Sequence, residues 1–122
     1  MLKPFKGSFF CSTVKKALAP YRRSESSFQI ALDEILENPQ QGDVYPGISP
    51  ACRKTRIALK EYNIGKSGGL RLIYMIGKNI LVYICTYYKG QYKKESDIVQ
   101  LIKCGIKSAT LELKGQSPSH PK

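Results

Sequence analysis

The chain holds a single histidine, His120, in a Ser/Pro-rich stretch near its end. That leaves no material for a His-based triad, a His-paired ribonuclease site or a His-rich metal centre. Its four cysteines, at 11, 52, 85 and 104, lie far apart. None has the spacing of a zinc knuckle or a redox motif, so they read as buried structural thiols. No apolar run approaches the ~18 residues of a membrane span. The N-terminus carries Lys3 and Lys6, but Pro4 and Gly7 interrupt it before any signal-peptide core can form. The expected location is the cytoplasm, and no metal or cofactor is expected.

Acid is also scarce: 9 Asp/Glu stand against 20 Lys/Arg, for a net charge of +11. The excess is concentrated. Residues 52–94 hold ten basic residues and one acid, Glu61. A basic surface gathered in the middle of a chain suggests a polyanion partner, or an acidic protein that imitates one. The plainer reading is a solvated basic face, but these charges alternate with strand-forming residues instead of forming a tail.

At 122 residues and 42% hydrophobic content the chain suits one domain with a modest core. The domain is expected over residues 1–113, with a flexible tail over 114–122. Gly65-Lys66-Ser67 resembles the end of a phosphate-binding loop, yet the residue five before Gly65 is Lys60. The segment after it, Leu70 to Ile76, is branched and aromatic like a strand and unlike a helix. An NTPase is excluded.

The periodicity predicts two helices first. Phe10, Val14, Ala17, Leu18 and Tyr21 fall at helical spacing, and Pro20 ends that segment. A second stripe of Phe28, Ala31, Leu32, Ile35 and Leu36 comes after a capping region at Ser24–Ser27 and stops at Asn38-Pro39. Residues 40–50 read as a loop. From Arg53 to Lys60 the pattern alternates, with Lys54, Arg56 and Lys60 on one side. A glycine-rich link then leads to a strand from Leu70, a hairpin turn at Gly77-Lys78-Asn79, and a central strand over 80–88 that is apolar on both faces. A helix is expected around residues 96–104 with Gly105 as its stop, and an edge strand over 106–113. The expected fold is α+β: a small antiparallel β-sheet with an N-terminal helical hairpin and a C-terminal helix, the helices lying on one face.

Pro39, Gly42-Asp43-Val44, Arg53-Lys54-Thr55-Arg56, Gly65-Lys66-Ser67-Gly68-Gly69-Leu70-Arg71-Leu72-Ile73-Tyr74 and Tyr87-Tyr88-Lys89 together resemble the RelE/HigB toxin superfamily, closest to its HigB-type branch. The likeness covers roughly residues 9–104 and is most specific over 53–89. It implies a RelE-like fold and a toxin of a type II toxin–antitoxin module, one that cuts mRNA in the ribosomal A site without a metal. The implied partners are a cognate antitoxin with an acidic binding segment, mRNA and the ribosome. The resemblance also implies a strand ahead of the first helix, although residues 2–8 carry little of its pattern.

Cleavage of RNA through the 2′-hydroxyl needs a base, donors for the charge that grows on phosphorus, and an acid for the leaving oxygen. Lysine can serve as base or acid when neighbouring positive charge and burial lower its pKa. Arginine offers paired planar donors to phosphate oxygens, and tyrosine can stack or donate. The resemblance places Arg71 at the strand arginine of the family. Lys54, Arg56 and Lys66 match the basic cluster ahead of it, and Tyr87 and Lys89 match the end of the next strand. Arg53, Lys60, Lys93 and Lys94 are expected to contact the RNA backbone. Two other readings remain open at this stage: a ParE-like inhibitor of DNA gyrase, and a non-catalytic RNA-binding module.

Overall fold

In the computed structural model, which describes residues 2–115, β1 (Lys3–Lys6) is followed by α1 (Ser8–Leu18) and α2 (Glu25–Glu37). Then come β2 (Asp43–Val44), β3 (Arg53–Ile57), β4 (Leu70–Gly77), β5 (Ile80–Tyr88) and α3 (Glu95–Leu113). The five strands form one sheet in the order β1-β5-β4-β3-β2. The α+β class holds. The sheet is mixed, however, because β1 runs parallel to β5 while the other pairs are antiparallel. A parallel neighbour needs a long crossover, and everything from α1 to β4 supplies it. β1 was hard to read because it is four residues long and Pro4 interrupts it, a residue sheets accept at an edge.

Leu72 and Tyr74 point from β4 into a core shared with Phe10, Ala17 and Leu18 of α1 and with Phe28, Leu32 and Ile35 of α2. Ile73, between them, points the other way, into a second core with Val82, Ile84 and Cys85 of β5 and Ile102 and Ala109 of α3. Helices therefore cover both faces, and the expectation of helices on one face is corrected. β5 is central as expected, with residues 81–87 all buried.

Two further expectations fail for α3. Gly105 lies inside the helix, where a Cβ would fall 2.6 Å from the Ile84 Cγ2 and 2.8 Å from the Ile84 carbonyl oxygen. It is a point of close approach to β5, and the burial it permits offsets the helix-propensity cost of roughly 1 kcal/mol. Residues 106–113 accordingly continue the helix and form no edge strand. Its last turn closes the fold: the Glu112 carboxylate accepts a hydrogen bond from the Ser8 N–H at 2.9 Å, satisfying a donor in the first turn of α1.

Pro20 ends α1 as expected, in a 3-10 stretch over Ala19–Ser24. Ser24 precedes α2, but its hydroxyl donates to Glu61 at 2.8 Å instead of capping the helix. β3 stops at Ile57, short of the expected Lys60, which lies in a 3-10 turn ending at Asn63 with a left-handed φ of 57°. The hairpin turn lies at Gly77-Lys78-Asn79 as expected, with Asn79 at φ 62°. Of the cysteines, Cys52 and Cys85 are buried, whereas Cys11 and Cys104 are exposed on helices and are not core thiols. Among the described residues, no helix is long and apolar enough to cross a membrane. Lys114 and Gly115 form a turn, and the remainder of the expected tail lies outside the described residues.

Candidate nucleic-acid interface

β-strand alternation decides which side chains of the basic segment share a face. In β3, Lys54 and Arg56 point one way while Arg53, Thr55 and Ile57 point the other. The β3–β4 register sets Arg56 directly across from Arg71, and the β4–β5 register sets Arg71 across from Tyr87. A second row lies two residues along, with Asp43 of β2 opposite Lys54 and Lys54 opposite Ile73. Lys66 arrives from the glycine-rich link and Lys89 from the end of β5. Together Lys54, Arg56, Lys66, Arg71, Lys89 and Asp43 line an open groove of about 580 Å³.

The glycine-rich link is what brings Lys66 and Arg71 to this place. A Cβ on Gly69 would fall 1.9 Å from the Ile57 carbonyl oxygen, so only glycine lets the start of β4 press this closely on β3. Gly69 then accepts at its carbonyl from the Lys89 N–H at 3.2 Å and from Arg71 Nη1 at 2.8 Å. Arg71 Nη2 donates to the Ser67 carbonyl at 2.7 Å. The guanidinium is thus fixed by the loop that precedes it, half-buried, with donors remaining for a ligand.

Two guanidinium groups face to face across a strand pair repel one another. Arg71 registers this: its pKa is lowered by burial and then by Arg56, although it keeps its charge. Lys54 is affected more usefully. Burial lowers its pKa first, then the charges of Arg56 and Arg71, while Asp43 acts the other way. Its amine lies 5.6 Å from the centre of the Tyr45 ring. A lysine whose proton is loosened beside two guanidinium groups, that of Arg71 held by its loop, is suited to accept a proton from a group that also carries a phosphate.

Tyr87 stands beside Arg71 but is only 5% exposed. Its ring packs edge-on against Tyr92, and burial pushes its phenol up to about 12, with Arg71 opposing. It can donate a hydrogen bond there, but it cannot take part as a phenolate near neutral pH.

The remaining expected contacts lie elsewhere. Arg53 is on the opposite side of β3, where its guanidinium donates to the Gln40 and Gly42 carbonyls. With the Tyr74 hydroxyl, which accepts from the Gly42 N–H at 3.0 Å and donates to the Pro39 carbonyl at 2.7 Å, it holds the segment that leads into β2. Lys60 borders a neighbouring hollow of about 310 Å³ between α2 and the outer edge of β3. Lys93 and Lys94 are exposed just ahead of α3 and do not line the groove.

Gln41, Thr55 and Ser67 also line the groove, and Asp43 is the charged groove residue that sequence reasoning did not single out as functional. The one signal for it was its position: an acid paired in register with a basic strand, in a motif noted only for its resemblance. No protein-family model matches the chain, and no curated protein matches it either.

Proposed function

We propose that this protein is a ribosome-dependent endoribonuclease, the toxin of a type II toxin–antitoxin module of the RelE/HigB kind. The observation that carries the reading is the Arg56–Arg71 pair, held across β3 and β4 with Lys54 in the adjoining row. Uncompensated like charges placed opposite each other cost stability, and a phosphate between them turns that cost into binding. The sequence resemblance over residues 53–89 supports the same reading.

In the reaction, the phosphate beside the scissile bond is held by the guanidinium groups of Arg56 and Arg71. Lys54, neutral when it acts, accepts the proton of the adjacent 2′-hydroxyl. The 2′-oxygen attacks phosphorus, and the two arginines match the charge that develops on the non-bridging oxygens. The bond to the 5′-oxygen breaks, leaving a 2′,3′-cyclic phosphate on one fragment. A protonated lysine at the rim, Lys66 or Lys89, gives its proton to the departing 5′-oxygen. The groove is open on one side, which suits a strand presented by a larger assembly such as the ribosomal A site. An antitoxin bearing acidic side chains would occupy the same cations, and both partners would be met in the cytoplasm.

The test is primer extension on a defined mRNA in a reconstituted translation system, with the parent protein and with Arg71→Ala. Ribosome-dependent cuts at A-site codons that disappear in Arg71→Ala are the expected result. Salt-sensitive RNA binding without cuts would reduce the groove to a binding surface. Inhibition of gyrase supercoiling, with no cleavage, would replace the nuclease reading altogether.

A further inference from the structure

Among the side chains lining the cationic groove, Asp43 is the carboxylate. It faces Lys54 across the β2–β3 pair, whereas Arg56 and Arg71 face each other one row further along. On ideal strand spacings Asp43 and Arg71 lie roughly 12 Å apart, a span comparable to that of one nucleotide from its phosphate to its Watson–Crick edge. The segment bearing Asp43 is also held in place, because its neighbour Gly42 is bonded to both Tyr74 and Arg53. A phosphate beside Asp43 would meet like charge. What suits an ionised carboxylate, an acceptor at both oxygens, is a pair of adjacent N–H donors.

We infer that Asp43 reads a base in the groove and selects guanine. The inference rests on the nuclease reading above. Guanine alone among the four bases sets two donors, N1–H and N2–H, side by side on its Watson–Crick edge. Adenine and cytosine each pair one amino donor with a ring nitrogen that accepts, and uracil places its N3–H between two carbonyl oxygens. Each of those three turns an acceptor toward one carboxylate oxygen, whereas guanine meets both oxygens with donors and its O6 lies to the side of the pair. Bases of single-stranded RNA are read on this edge because it is unpaired.

The experiment uses mRNAs that differ at a single codon position, bearing G, A, C or U there, each position of the codon being varied in turn. Initial cleavage rates are compared for the parent and for Asp43→Asn in a reconstituted translation system. The parent is expected to cut with guanine at one position faster than with the other bases by roughly tenfold, in line with a two-bond base contact. Asp43→Asn, whose amide both donates and accepts, is expected to shift that preference toward adenine. Three results overturn the inference and leave the nuclease reading standing: cleavage by the parent that ignores the base, a guanine preference unchanged in Asp43→Asn, or loss of all cleavage in a folded Asp43→Asn, which would make Asp43 part of the chemistry. Absence of cleavage by the parent overturns both.

Discussion

Arg56 stands directly opposite Arg71 in the β3–β4 register, so two guanidinium groups share one face, and the carboxylate on that face, Asp43, pairs with Lys54 in the adjoining row. A protein selected for stability alone would not keep this arrangement. Arg56→Gln is therefore expected to raise stability by about 0.5 kcal/mol, the usual scale of a cross-strand pair, while weakening RNA binding and cleavage. Urea denaturation and the primer-extension assay measure the two effects. A variant that is less stable than the parent would show that the pair is not a frustrated one.

Lys54 must be neutral to accept a proton, so the cleavage rate is expected to rise with pH through its lowered pKa, below the ordinary value of about 10.4. Removing the positive charge of Arg56 relaxes part of the lowering. The acid side of the pH–rate profile should therefore move to higher pH in Arg56→Gln, on top of any loss in rate. Lys54→Arg keeps a charge but has no neutral form to offer, and it is expected to lose cleavage about 100-fold or more. Near-parental activity in Lys54→Arg would remove Lys54 from the role of base.

Tyr45 buries its hydroxyl with no hydrogen-bond partner among the described residues, while its ring lies under the Lys54 amine. Tyr45→Phe keeps the ring and removes the unpaired polar group. Its stability is expected to equal or exceed that of the parent by up to about 1 kcal/mol. A clear loss in urea denaturation would mean that the hydroxyl has a partner in solution.

Much of this architecture was legible because periodicity speaks for long elements. α1, α2, β4, β5 and the hairpin between the last two were all visible in the spacing of apolar residues and in Gly77-Lys78-Asn79. The elements that escaped are those too short or too local to carry a period: β1 with four residues and β2 with two. Gly105 misled for a different reason. Its lack of a Cβ serves a contact with Ile84, 21 positions earlier, and nothing nearby in sequence reveals that partner.

The candidate site divides in the same way. Alternation separated Lys54 and Arg56 from Arg53, but it could not tell which face would lie open. Arg53 reads in sequence as an RNA contact, whereas its guanidinium braces the Gln40–Gly42 segment. The burial of Tyr87 depends on Tyr92 and α3 folding over β5, which no local pattern reports. The meeting of Arg56 with Arg71 depends on strand register, which the close approach at Gly69 helps to set.

The place of β1 beside β5 also imposes an order on biosynthesis. Lys3 leaves the ribosome early, yet its partner across the sheet is Ile80, and the first turn of α1 waits longer still for Glu112. Contacts this distant in sequence form late and slowly. The groove is complete only after β5 and Lys89 are made, so on the proposed nuclease reading a nascent chain has no fully assembled site while its own message is still being read toward that point. On that reading, the message that encodes the protein would thereby be spared at least until β5 has been made.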